Sequence, residues 1–106
     1  MKSSGQEKAL LKKLDRGRKH IGLADREIIR SLASRFRAVE EVSRIKKQLN
    51  LGVVQKAQWR KVIARATESA RKNNLPPAFV KGVYGLIHKE AIRRQKVRAA
   101  NKKRSK

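Results

Sequence analysis

The sequence predicts an all-α fold of three helices, one long and two shorter, on three observations. Steps of three and four residues from Arg18 reach Ile21, Asp25, Ile28, Leu32, Arg35, Val39, Val42, Lys46 and Leu49. That is the spacing of one face of a long helix. Two later segments repeat helical spacing and are set off by Asn50-Leu51-Gly52 and Asn73-Asn74-Leu75-Pro76-Pro77. No segment shows the alternation of a strand.

The elements follow in order. Residues 1–8 are polar and expected to fray. Leu10, Leu11 and Leu14 then share one side of a helical turn. Gly17 and Gly22 interrupt, each costing about 1 kcal/mol relative to alanine inside a helix. The helix is expected to run on regardless, weak or bent there, because the seam keeps its phase. Residues 24–49 contain no Pro or Gly, and Asn50 and Gly52 supply stop chemistry. A second helix is expected over 57–73, with Trp59, Val62, Ile63, Ala66 and Ala70 inward. Two prolines forbid its continuation, and Pro77 suits the start of a third helix, expected over 78–100. Phe79, Val80, Val83, Tyr84, Leu86, Ile87, Ala91 and Ile92 form its apolar face, with Gln95 a turn beyond Ala91. Glu27–Arg30 and Glu40–Arg44 fit surface pairing along a helix. The chain reads as one domain, 1–106, with a core over about 8–98 and a basic tail at 99–106. Two short helices do not cover a long one, so part of the seam is left for a second copy of the chain.

Composition narrows the function. Thirty Lys and Arg stand against eight Asp and Glu, a formal charge of +22. Such a field attracts polyanions and small dianions alike. There is no cysteine, so no disulfide or thiolate chemistry. His20 and His88 lack partners at metal-ligand spacing, and no glycine-rich phosphate loop is present. Neither a membrane span nor the apolar core of a signal peptide appears, which makes the cytoplasm the expected compartment and a membrane partner unexpected. The few aromatics are not interleaved with the cations, which argues against single-strand recognition. Trp59 has the spacing of a core residue.

The seam itself carries three cations, Arg18, Arg35 and Lys46. A cation on a packing face costs several kcal/mol, roughly, unless something negative meets it. Two readings stand: the long stems snorkel to water, or the seam borders a pocket for a small anion. Arg18 and Arg35 lie about 25 Å apart along a straight helix. They do not grip one small molecule from the same chain unless the helix breaks. Arg35 and Lys46 are about 16 Å apart by the same rise, within reach of two long side chains around a ligand. A composite pocket therefore takes Arg35 and Lys46 from one chain and Arg18 from another.

Three segments together resemble the all-helical chorismate mutase family. They are R-x-x-I-x-x-x-D-x-E-I-I-x-x-L-A-x-R from Arg18 to Arg35, V-S-R-I-K-K from Val42 to Lys47, and N-L-P-P-A-F-V-K-G-V-Y-G-L-I-H-K-E-A-I-R-R-Q from Asn74 to Gln95. The resemblance implies an intertwined helical homodimer with two composite sites that rearrange chorismate, a dianion, to prephenate with no cofactor. By position, it implies that Arg35 and the partner's Arg18 hold the two carboxylates. Lys46 and Gln95 donate to the ether oxygen. The family's Asp-x-x-Arg-Glu is here Gln55-x-x-Gln58-Trp59, and its serine near a carboxylate is Ala91. Gln55 can still accept a hydrogen bond; the Trp59 indole only donates. Each lost contact costs about 1–3 kcal/mol, which implies a slower enzyme. Two alternatives remain. One is an isochorismate pyruvate lyase on the same scaffold. The other is a catalytically degenerate helical protein whose basic surface binds nucleic acid or an acidic partner.

Overall fold

The computed structural model describes residues 3–52 and 56–104. Gln55 lies outside them. Three helices account for the described chain: α1 (Ser3–Gln48), α2 (Lys56–Lys72) and α3 (Pro77–Arg104). No strand occurs among the described residues, and the all-α expectation holds. Among the described residues, no helix is long and apolar enough to cross a membrane.

One expectation about α1 is revised and one holds. It begins at Ser3, so residues 3–8, expected to fray, are helical, and the helix runs on through Gly17 and Gly22 as the phase of the seam implies. Neither glycine has a neighbouring atom within 4 Å of where a Cβ would stand. Their conformational cost of about 1 kcal/mol each is spread over a helix rich in good formers.

Asparagine ends both of the first two helices by the same device. Asn50 and Asn74 adopt positive φ, 58° and 57°, a region open to asparagine because its short side chain hydrogen-bonds locally. After α1, Leu51 N donates to the Lys46 carbonyl at 2.8 Å and Asn50 N to that of Lys47 at 3.1 Å. After α2, Leu75 N donates to Ala70 at 2.8 Å and Asn74 N to Arg71 at 3.2 Å. These paired bonds satisfy carbonyls that a helix end otherwise leaves open. Pro76 then accepts from Val80 N at 3.2 Å, and Pro77 occupies the first position of α3, where its missing N–H costs nothing.

The chain divides into two compact units, Met1–Arg37 and Ala38–Lys106. In the first, Phe36 is the only buried side chain among the described residues. The apolar side of α1 is open, with Leu11 62% and Ile29 67% exposed. In the second unit, α2 packs on α3. Ala66, Ala70 and Ala91 are buried there, Ala70 to 3% exposure. Small residues at these positions let the two helix backbones approach closely. Val62, Ile63, Ile87 and Ile92 flank them half-buried. The expected apolar face of α3 is in fact two stripes. Val80, Tyr84, Ile87 and Ala91 are at least partly buried, while Phe79, Val83 and Leu86 are open, Leu86 at 70%.

The Asn74 cap is testable by urea unfolding. Asn74→Gly is expected to leave stability within a few tenths of a kcal/mol, about the size of a neutral change. Asn74→Ala is expected to cost about 1–2 kcal/mol, because a Cβ clashes in this backbone region.

Candidate active site

The candidate residues fall in both units. In the first, Arg18 is exposed and Arg35 half-buried. The helix is unbroken between them, so the separation of about 25 Å read from helical rise stands. One copy of this helix does not place both guanidinium groups on one small molecule.

In the second unit, Lys46, Trp59 and Gln95 are half-buried and Ala91 is buried. Lys46 lies in the last turn of α1, where its carbonyl takes part in the cap. The Arg98 guanidinium meets the Glu40 carboxylate at 3.4 Å and so ties α3 to the C-terminal part of α1. Gln95 lies one turn before Arg98, and Lys46 less than two turns after Glu40. This contact replaces the expected Glu40–Arg44 pair: Arg44 turns to Glu41 at 3.5 Å instead. No ion pair joins Glu27 to Arg30 among the described residues.

Gln95 carries the clearest polar signal. Its Oε1 is buried and has no hydrogen-bond partner among the described residues. An unmet buried acceptor costs about 1–3 kcal/mol. Turning the carboxamide over exchanges O for NH2 without changing its shape. The spot then becomes a donor. As oriented, a polar atom of α3 is buried without a partner among the described residues.

One turn before Ala91 on the same helix, His88 stacks on Trp59 of α2. The ring centroids are 4.0 Å apart and the planes 21° from parallel. The spacing of Trp59 marks it as a core residue and the family motif places it near the substrate hydroxyl; neither reading pairs it with His88. The signal for their pairing was present only as two aromatic rings at inward helical positions of adjacent helices. Among the described residues, no cluster of His, Asp and Glu suits a metal ion.

The residues from Arg18 to Gln95 thus keep the order and helical placement of the three segments that carry the resemblance. A family model described as chorismate mutase type II matches residues 17–96. The chain belongs to that family. The match embraces Arg18, Arg35, Lys46, Trp59, Ala91 and Gln95. No protein in a set of curated sequences matches the chain.

On the outer side of α3, the Glu90 carboxylate accepts from Arg93 Nε and Nη2 and from Arg94 Nε, all at 2.8 Å. These bonds, Arg93 first, hold its pKa down at about 2. There are two open depressions of about 400 Å3, one on α2 (Ala64, Arg65, Glu68, Ser69, Lys72) and one on α3 (Leu86, Lys89, Glu90, Arg93). Neither is lined by Lys46, Trp59, Ala91 or Gln95.

Two measurements follow from this geometry. A depressed folded pKa stabilises above the ordinary carboxylate range, and that contribution is lost as pH falls towards about 2. Carboxyl-carbon NMR is expected to show Glu90 titrating there, and to return it towards the usual range in an Arg93→Ala/Arg94→Ala protein. His88→Ala is expected to change Trp59 fluorescence and to cost about 0.5–1.5 kcal/mol of stability beyond lost area, the usual worth of an aromatic pair.

Proposed function

We propose that this chain is a chorismate mutase acting as a homodimer, with two sites each completed by the other chain. The observation that carries the proposal is the family match over residues 17–96, which spans Arg18, Arg35, Lys46 and Gln95, the four positions to which the resemblance gives charge recognition and the ether contact. Two findings support it. The unbroken α1 keeps Arg18 away from Arg35 within one chain, and the open apolar side of the same helix is a surface for a second copy. The whole chain then acts as one functional domain, in the cytoplasm.

The chemistry suits the residues. Chorismate is flexible and carries two carboxylates. Arg35 and the partner subunit's Arg18 bind these and hold the compact conformer in which the reacting carbons meet. As the C–O bond breaks, negative charge grows on the ether oxygen. Lys46 and Gln95 donate to it, and preorganised donors stabilise that charge more in the transition state than in the ground state. No cofactor or covalent intermediate is needed. The Gln95 amide with its unpartnered buried oxygen supports its place in this set.

The Trp59–His88 stack stands where the family carries acidic contacts to the substrate hydroxyl. Turnover is therefore expected to be slow. The same departure favours a second reading, in which the site removes pyruvate from isochorismate.

The test is the loss of chorismate absorbance with product identification, run beside isochorismate. Prephenate is the expected product. Lys46→Ala is expected to lower kcat by about 10²–10³, the usual loss for one such donor. Arg35→Ala is expected to abolish turnover while the helical circular dichroism signal persists; a turnover-competent Arg35→Ala protein overturns the site. Gln95→Glu is expected to work only at acid pH, because a glutamate donates only when protonated, whereas the amide donates throughout.

A further inference from the structure

The register of α1 sorts its cations as well as its apolar residues. At about 100° per residue, Lys8, Lys12, Arg16, Arg26, Arg30 and Arg37 fall within one arc of about 80° on the helix surface. All six are exposed. None is in an ion pair with a carboxylate among the described residues. The other positions of that arc between Lys8 and Arg37 are Lys19, Leu23 and Ser34, so it holds no acid. Only Asp15, at its margin, neutralises a member, binding Lys19 at 3.2 Å. The stripe runs about 44 Å along the axis. It depends on the helix passing through Gly17 and Gly22, since a break there would scatter the cations around the axis.

We propose that this stripe is a binding surface for duplex DNA, held through the phosphate backbone without base readout. The proposal goes beyond the mutase reading and does not depend on it. Charge complementarity argues for it: a linear array of unpaired cations meets a linear array of phosphates, with counterion release as the driving force. The helix offers no exposed aromatic, since Phe36 is buried, so it has no platform for stacking single-stranded bases. The stripe and the apolar side (Leu10, Leu14, Ile21, Ile28) are centred about 175° apart on the helical wheel. A helix lying in a lipid surface buries its apolar side, and these cations then point away from the headgroups. The B-form major groove admits an α-helix, whereas the deep, narrow groove of duplex RNA does not.

The experiment is fluorescence anisotropy with the full chain and a labelled DNA duplex of about 20 base pairs, long enough for the stripe at 3.4 Å per base pair. Binding is expected to be independent of sequence. Log K is expected to fall against log salt with a slope of about −5, from six phosphate contacts at about 0.9 each. Lys12→Glu/Arg16→Glu/Arg30→Glu is expected to weaken binding at least tenfold and to flatten the slope by about 3. The control Lys61→Glu/Arg65→Glu/Lys72→Glu makes the same charge change on α2 and is expected to lose much less. Circular dichroism establishes that both sets stay helical; should the Glu set unfold, the Gln set at 12, 16 and 30 replaces it. Equal losses in the two sets overturn the stripe. Equal binding to duplex RNA, or tighter binding to vesicles of anionic lipid, overturns the choice of partner.

Discussion

Because α1 is helical without a break from Ser3 through Arg37, each residue of that stretch is assigned a direction by its number alone. Leu10, Leu14, Ile21 and Ile28 share one side, and the unpaired cations from Lys8 to Arg37 share the other. Arg18 and Arg35 are fixed at a separation that no small dianion spans. A bend at Gly17 or Gly22 would undo all three at once. It would bring the guanidinium groups into new relation and split both stripes. Two glycines in an otherwise favourable helix are tolerated where a long run of good helix formers flanks them. The straight helix in turn makes a second copy a requirement of the proposed site.

The α2–α3 unit shows a different economy. Its buried positions are alanines, so close approach of two backbones, rather than large side chains, brings Trp59 and His88 into a stack. That stack is the physical substance of the departure from the family's acidic motif. In the proposed site, the change bears on how the substrate hydroxyl would be received. It leaves alone Arg18, Arg35, Lys46 and Gln95, the residues of the proposed carboxylate and ether contacts.

Much of this was legible in the sequence, for identifiable reasons. The helical seam, the stops at Asn50 and Asn74 and the Pro77 start are local signals, set by periodicity, positive φ and a missing N–H. They survive without knowledge of packing. The start of α1 at Ser3 was missed because polarity was read as fraying, although polar residues form helix well when the following turns propagate it. The partner of Glu40 was misread because spacing along one helix sees only that helix. Arg98 is nearly sixty residues away, and no local rule points to it. The Trp59–His88 stack was hidden for the same reason. The family match secures the chain's membership from residue 17 to 96, while the roles of Arg18, Arg35, Lys46, Gln55, Trp59, Ala91 and Gln95 rest on position within it.

The charge that draws anions in also opposes assembly. Each chain carries a formal +22, and a homodimer doubles it in a small volume. Such self-repulsion destabilises compact states and is screened only beyond a Debye length of about 8 Å at physiological ionic strength. Apolar burial must offset it. Leu10, Leu14, Ile21 and Ile28 each contribute about 1.5–3 kcal/mol when fully covered. A polyanion on the opposite stripe removes part of the repulsion without occupying the apolar side. In the proposed dimer, the two surfaces of α1 are therefore coupled through charge. Whatever neutralises the cations favours pairing of the helices, and pairing in turn concentrates the cations for a polyanion. Linkage makes these two effects equal in free energy. In the proposed enzyme, such a partner would act on the site by promoting its assembly, with no contact to Arg35 or Lys46.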